Sequence, residues 1–190
     1  MLIKNVCKFF VLGVLSVSIH TPVFAKLTST SQENNYPDDW HTEAGCGKGQ
    51  HGAFVLATIK DVRANEGNIR VQLYGDNPKD FLEKGKKLVR ITEQTNYDED
   101  LGQKICVALP REGQFALYVL HDRNGNLKTD FFTDGFGFSN NPKMGLAAPA
   151  YKKVAFNATD GVMKMDIVMN YVIGGDEEQI ERRRRAKKRR

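Results

Sequence analysis

Cysteine is scarce in this chain, and so is any pattern that would make a long helix in its central part. Only Cys7, Cys46 and Cys106 occur, with no C-x-x-C pair among them, which argues against a thiolate zinc module. No serine or cysteine stands in a recognisable nucleophile motif, so there is no sequence basis for assigning a hydrolytic reaction. Beyond one short run near the start, no apolar segment approaches the roughly 20 residues that a membrane-spanning helix requires. Positive charge is also lacking where a nucleic-acid platform would need it. The net charge of +5 sits at the ends: Lys4 and Lys8 supply +2, residues 176–190 supply +4, and the stretch between carries −1. A nearly neutral body does not fit a nucleic-acid partner.

The apolar run belongs to a start that reads as a Sec-type signal peptide. Lys4 and Lys8 precede the apolar stretch Phe9 to Ile19, and Val23-Phe24-Ala25 offers a cleavage signal after Ala25. A membrane anchor is the other reading of residues 1–25. Cys7 precedes the apolar core, which argues against a lipoprotein. The expected location is periplasmic or secreted. Cleavage would remove Cys7 and leave Cys46 and Cys106, which in an exported protein predict one disulfide. A closed loop of that length is worth roughly 4 kcal/mol by chain entropy.

Residues 26–53 are polar and read as an extended arm, fixed to the domain only through Cys46. From Phe54 the chain turns to period two, the strand signature. Strands are predicted over Phe54 to Val62, Ile69 to Tyr74, Lys87 to Thr92, Ile105 to Leu109, Gln114 to Asp122, Val154 to Phe156 and Met163 to Tyr171. Ile105, Val107 and Leu109 share one face of their strand, which points Cys106 outward and carries the arm across the outside of a sheet. Gln114 to Asp122 is apolar on both faces and should be central. About seven short strands predict an all-β, antiparallel β-sandwich over 54–175, immunoglobulin-like or transthyretin-like, with a small barrel as the alternative. Trp40 precedes both cysteines, so the chain is not a true immunoglobulin domain. Residues 176–190 form a polybasic tail, with eight basic residues in the last nine. Such a tail is either solvated or attracted to anionic lipid or polysaccharide.

The chemistry-bearing stretch runs from His121 to Asn141 and is predicted as a long loop. Asp122, Asn124, Asn126 and Asp130 stand at positions 1, 3, 5 and 9, a spacing that a calcium loop uses. Leu127 and Thr133 depart from it, and an Asx-rich turn accounts for the same residues. His121 is a candidate ligand-binding residue, or a buried and satisfied one. Gly135 to Asn141 places Phe136 and Phe138 beside Asn140 and Asn141, a combination that suits either a shelf for a glycan or peptide or a plug of rings.

A strand ending in H-D-x-N-G-N and followed by G-F-G-F-S-N-N, with G-N-I-R-V-Q-L-Y and R-E-G-Q-F-A-L-Y-V-L-H-D upstream, resembles the exported bacterial family catalogued as domain of unknown function 2141. The resemblance spans roughly residues 54–172. It implies a compact exported β-sandwich and no particular reaction. Leu127 stands where members often carry a glycine. The expected function is a non-enzymatic binding or structural module at the cell envelope. The alternatives are a calcium-stabilised glycan binder and an enzyme using His121.

Overall fold

The computed structural model describes residues 38–145 and 147–172. The predicted signal segment, the first part of the arm and the basic tail lie outside the described residues. Nine strands form two packed sheets: β1 (Ala53–Lys60), β2 (Asn68–Tyr74), β3 (Val89–Gln94), β4 (Gln103–Ala108), β5 (Gly113–Asp122), β6 (Gly135–Phe138), β7 (Ala155–Ala158), β8 (Gly161–Val168) and β9 (Asn170–Tyr171). The small sheet has the order β4-β1-β8 and the large one β3-β2-β5-β6-β9, with β7 also paired to β5. The β-sandwich expected from the sequence is therefore present. Every pair is antiparallel except β1 with β8, which run parallel from Ala53–Gly161 to Lys60–Val168. Among the described residues no helix is long and apolar enough to cross a membrane. A 3-10 turn at Pro78–Asp80 precedes Phe81-Leu82, and Tyr151–Val154 makes one helical turn.

Side-chain alternation builds three apolar layers. Inward residues of both sheets, among them Val55, Ile59, Val71, Leu73, Ile105, Leu117 and Ile167, fill the space between them. Outward residues of the large sheet, including Tyr74, Tyr118, Leu120, Phe136 and Phe138, form a second cluster under Tyr151 and Val154. Strand β5 is apolar on both faces because it serves both clusters.

The third layer explains the arm. On the outer face of the small sheet, Phe54, Leu56 and Cys106 meet Trp40 and Cys46. Trp40 is 2 % exposed and sets its ring edge-on to Phe54 at 5.9 Å. Cys46 and Cys106 are bonded, with Cα atoms 5.4 Å apart. The Cys106 amide donates to His41 Nδ1 at 2.9 Å. This satisfies an outward N–H of β4, a strand at the edge of its sheet, and covers part of an edge that would otherwise template pairing with another chain. The described part of the arm is thus a series of turns held by Trp40 and His41 as well as by the disulfide.

Candidate functional site

The 121–141 stretch is not one long loop. Gly135–Phe138 forms β6, paired antiparallel to β5 from Tyr118–Phe138 to His121–Gly135. Its Gly-Phe alternation is a two-faced device. Phe136 and Phe138 point outward into the second cluster. Gly137 points inward, where a Cβ would lie 2.7 Å from the Ile167 side chain and 2.9 Å from the Met169 sulfur. A residue larger than glycine there would push the sheets apart, so close packing of β6 on β8 demands it.

His121 closes β5 on the inner face and is fully buried. Its Nε2 lies 2.9 Å from the Glu66 carbonyl oxygen, which can only accept, so Nε2 carries the proton. Nδ1 then accepts from the Tyr171 hydroxyl at 2.7 Å. The same hydroxyl accepts from the Arg63 amide at 3.1 Å. Burial, the largest influence, lowers the His121 pKa; the Glu66 carbonyl opposes it. Every polar atom of the ring is used, and none faces an open site.

Asp122 points to the other face. Its Oδ2 accepts from Arg70 Nη2 at 2.7 Å and from the Leu127 amide at 2.9 Å. Arg70 also donates to the Leu127 carbonyl at 3.3 Å. The ion pair is almost wholly out of water, at 4 % and 0 % side-chain exposure. Asp122 Oδ1 is buried without a hydrogen-bond partner. Further along the loop, Asn124 and Asn126 donate side-chain N–H groups to Asp130 Oδ2 at 2.9 and 2.7 Å, which lowers the Asp130 pKa. Their oxygens accept the amides of Asn126 and Lys128 at 3.0 and 2.7 Å. Asp134 accepts the amides of Arg123 and Asp130. Of the four predicted metal ligands, Asn124, Asn126 and Asp130 are thus joined by side-chain hydrogen bonds, with Asx turns at the two asparagines, while Asp122 is held separately against a guanidinium. Among the described residues no three His, Cys, Asp or Glu side chains converge as a metal centre.

Asn140 and Asn141 sit away from this loop. Both have positive φ, 63° and 44°. Asn140 donates to the Ala155 carbonyl at 2.8 Å. Asn141 donates to the Asp166 carbonyl and accepts the Val168 amide, both at 2.8 Å. Each amide serves neighbouring backbone, as a strand residue's own peptide group would.

What the structure does bring together is a cleft of about 610 Å3 on the outer face of the large sheet. Its floor holds Tyr74, Tyr118, Phe136 and Phe138, and Met144 and Leu82 wall it. Its rim carries Lys84, Lys87 and Arg90 against the single acid Glu83, and the buried Arg70 lies beneath them. The Lys87 pKa is lowered first by burial and then by Arg90, Arg70 and Lys84, so the rim's field is positive. Burial, then Arg70, lowers Arg90 likewise. Burial raises the Tyr118 hydroxyl pKa. Of the predicted ligand-binding residues, Phe136 and Phe138 line this cleft; His121, Asn140 and Asn141 do not.

The cations and tyrosines were not foreseen as a site, because Arg70, Gln72 and Tyr74 alternate with apolar residues and read as a solvent face. The signal lay in β5: a doubly apolar strand means a covered outer face, and the strand paired with it shares that cover.

No curated protein and no solved structure matches the chain. One family does match, over residues 57–166, more than half of the 190. Those residues run from within β1 to within β8 and contain the whole loop and β6. The chain belongs to the bacterial family described as an uncharacterized protein conserved in bacteria, domain of unknown function 2141.

Proposed function

We propose that this protein is an exported, non-enzymatic binding module whose outer cleft takes an amphipathic anion. The observation that carries the reading is the basic rim over an aromatic floor within one cavity of about 610 Å3, a size common among small-molecule sites. An apolar chain or ring would lie on Tyr118, Phe136 and Phe138. Its anionic group would meet Lys87 and Arg90, whose mutual repulsion it relieves. Arg70 is already neutralised by Asp122 and contributes orientation more than charge. Export rests on the features of residues 1–25 and agrees with a buried disulfide.

Titration calorimetry tests the ligand class with decanoate, decyl phosphate, decyl maltoside and maltotriose. The two anions should bind, and Arg90→Glu should abolish their heat without lowering the melting temperature. Binding of maltotriose in preference to either anion would overturn the proposal and favour a glycan or peptide site instead.

Calcium held by Asp122, Asn124, Asn126 and Asp130 is a second reading. The unpartnered Asp122 Oδ1 favours it; the Arg70 guanidinium beside Oδ2 already supplies positive charge there. At 1 mM calcium, a site of about 10 μM affinity adds about 2.7 kcal/mol. An unchanged melt eliminates such a site.

A further inference from the structure

We propose that the segment 127–132, at the mouth of the cleft, is a docking surface for a bilayer containing anionic lipid. Among the described residues, seven large apolar side chains are exposed, and three of them, Leu127, Phe131 and Phe132, fall within these six positions at 67 %, 41 % and 64 % exposure. Phe131 and Phe132 stand edge-on at 5.5 Å, and Phe131 leans on Phe136 of the cleft floor at 5.9 Å. The lip is therefore supported from below while its outer side meets water. Soluble proteins seldom gather apolar side chains at a surface without a partner, and aromatic rings beside cations suit the bilayer interface.

Charge complementarity selects the partner. Leu127 and Phe131 line the same cleft as Lys84, Lys87 and Arg90, and the exposed Lys128 lies within the lip. Val172 lines that cleft too and is 38 % exposed. It is the last described residue before a sequence with eight basic residues in its final nine. An apolar lip that carries Lys128 beside Asp130, and that borders Lys84, Lys87 and Arg90 of the cleft, fits a negatively charged membrane surface. It does not fit a second copy of the same cationic face.

Leu127 adds an independent argument. It has φ of +63°, a conformation that disfavours any residue with a Cβ. A leucine that is both strained and two-thirds exposed adds little buried apolar area in return for a backbone conformation that glycine would adopt without strain. Its side chain is explained by contact with something outside the domain.

The test uses protein purified from the periplasm of an expressing bacterium, with vesicles of phosphatidylcholine alone or mixed with phosphatidylglycerol. Wild-type protein should sediment with the mixed vesicles. Part of that binding should survive about 1 M salt, where the Debye length is about 3 Å and attraction through the tail is screened. Leu127→Gly should raise the melting temperature and weaken the salt-resistant binding, and Leu127→Ser with Phe131→Ser and Phe132→Ser should weaken it about tenfold or more. Phe132→Trp reports insertion directly, since Trp40 is buried on the outer face of the other sheet. Its emission should shift to the blue and be quenched by brominated lipid. Vesicle binding without quenching would show the tail acting alone and overturn the proposal. No binding by wild type would overturn it also, as would a concentration-dependent dimer that Leu127→Gly abolishes. The proposal does not depend on which ligand the cleft holds.

Discussion

Breaking the Arg70–Asp122 pair should destabilise this domain more than any surface change, and repairing the break should be possible by removing both charges. The pair spans 2.7 Å at 4 % and 0 % exposure. Asp122→Leu leaves the guanidinium buried with only the Leu127 carbonyl, and frees the Leu127 amide. Arg70→Met leaves a buried carboxylate with that amide alone. Removing one partner of a buried pair costs about 3–5 kcal/mol, whereas apolar replacement of both is often close to neutral. The double variant Arg70→Met, Asp122→Leu still orphans the Leu127 amide, at about 1–3 kcal/mol. The two single losses therefore exceed the double one, and the coupling energy should reach at least about 3 kcal/mol. Urea unfolding followed by circular dichroism measures it. In heating, each single variant should melt roughly 10–20 °C lower. Single losses below about 1 kcal/mol that simply add would refute the reasoning. They would mean that water reaches Asp122 and that the pair behaves as a surface contact.

Three other outcomes follow from neighbouring geometry. His121 has a folded pKa below its unfolded value of about 6.5. The unfolded chain thus binds its proton first as pH falls, and stability should drop from pH ~7 toward pH ~5; His121→Asn should flatten that slope in melts across the range. Thiol titration of the exported protein, unfolded without reductant, should find no free thiol. Reduction should cost roughly 4 kcal/mol for a closure spanning 60 residues. Asn141→Ala should cost about 2–4 kcal/mol, because two side-chain bonds are lost and alanine must adopt φ of +44°. Asn141→Gly should cost about 1 kcal/mol less, since only the strain is relieved.

Much of the fold was legible because it depends on period two. The alternation of Ile69, Val71 and Leu73, and the doubly apolar Gln114 to Asp122, placed the middle of the large sheet without reference to distant residues. The outward Cys106 followed from the inward Ile105, Val107 and Leu109 by the same rule. The strand Gly135–Phe138 escaped because glycine has low strand propensity on its own. Its glycines are dictated by the closeness of Ile167 and Met169, which no local pattern contains. The parallel pairing of β1 with β8 escaped for a similar reason, since it joins segments about 100 residues apart. The cleft was the least legible feature. Arg70 and Arg90 lie on adjacent strands, but Leu82, Met144 and the loop reach the cleft only through the tertiary fold.

The end of β5 shows why the loop can carry an exposed and strained leucine at all. Consecutive residues there are fixed on opposite faces: His121 inward to Glu66 and Tyr171, Asp122 outward to Arg70. The strand end cannot rotate without breaking one set or the other. Leu127 is tied to this anchor through both of its backbone polar groups, its amide to Asp122 and its carbonyl to Arg70. The left-handed backbone of Leu127 is thus imposed by a buried ion pair, not by its own preference. Since glycine would satisfy the same backbone at less cost, the ion pair fixes the position and the leucine side chain serves the lip. Loss of Arg70 should therefore release the lip as well as destabilise the core. In Arg70→Met, hydrogen exchange at the Leu127 amide should accelerate beyond what the fall in global stability accounts for. Acceleration equal to the global change would show that the lip is held by Phe131 on Phe136 and not by the ion pair.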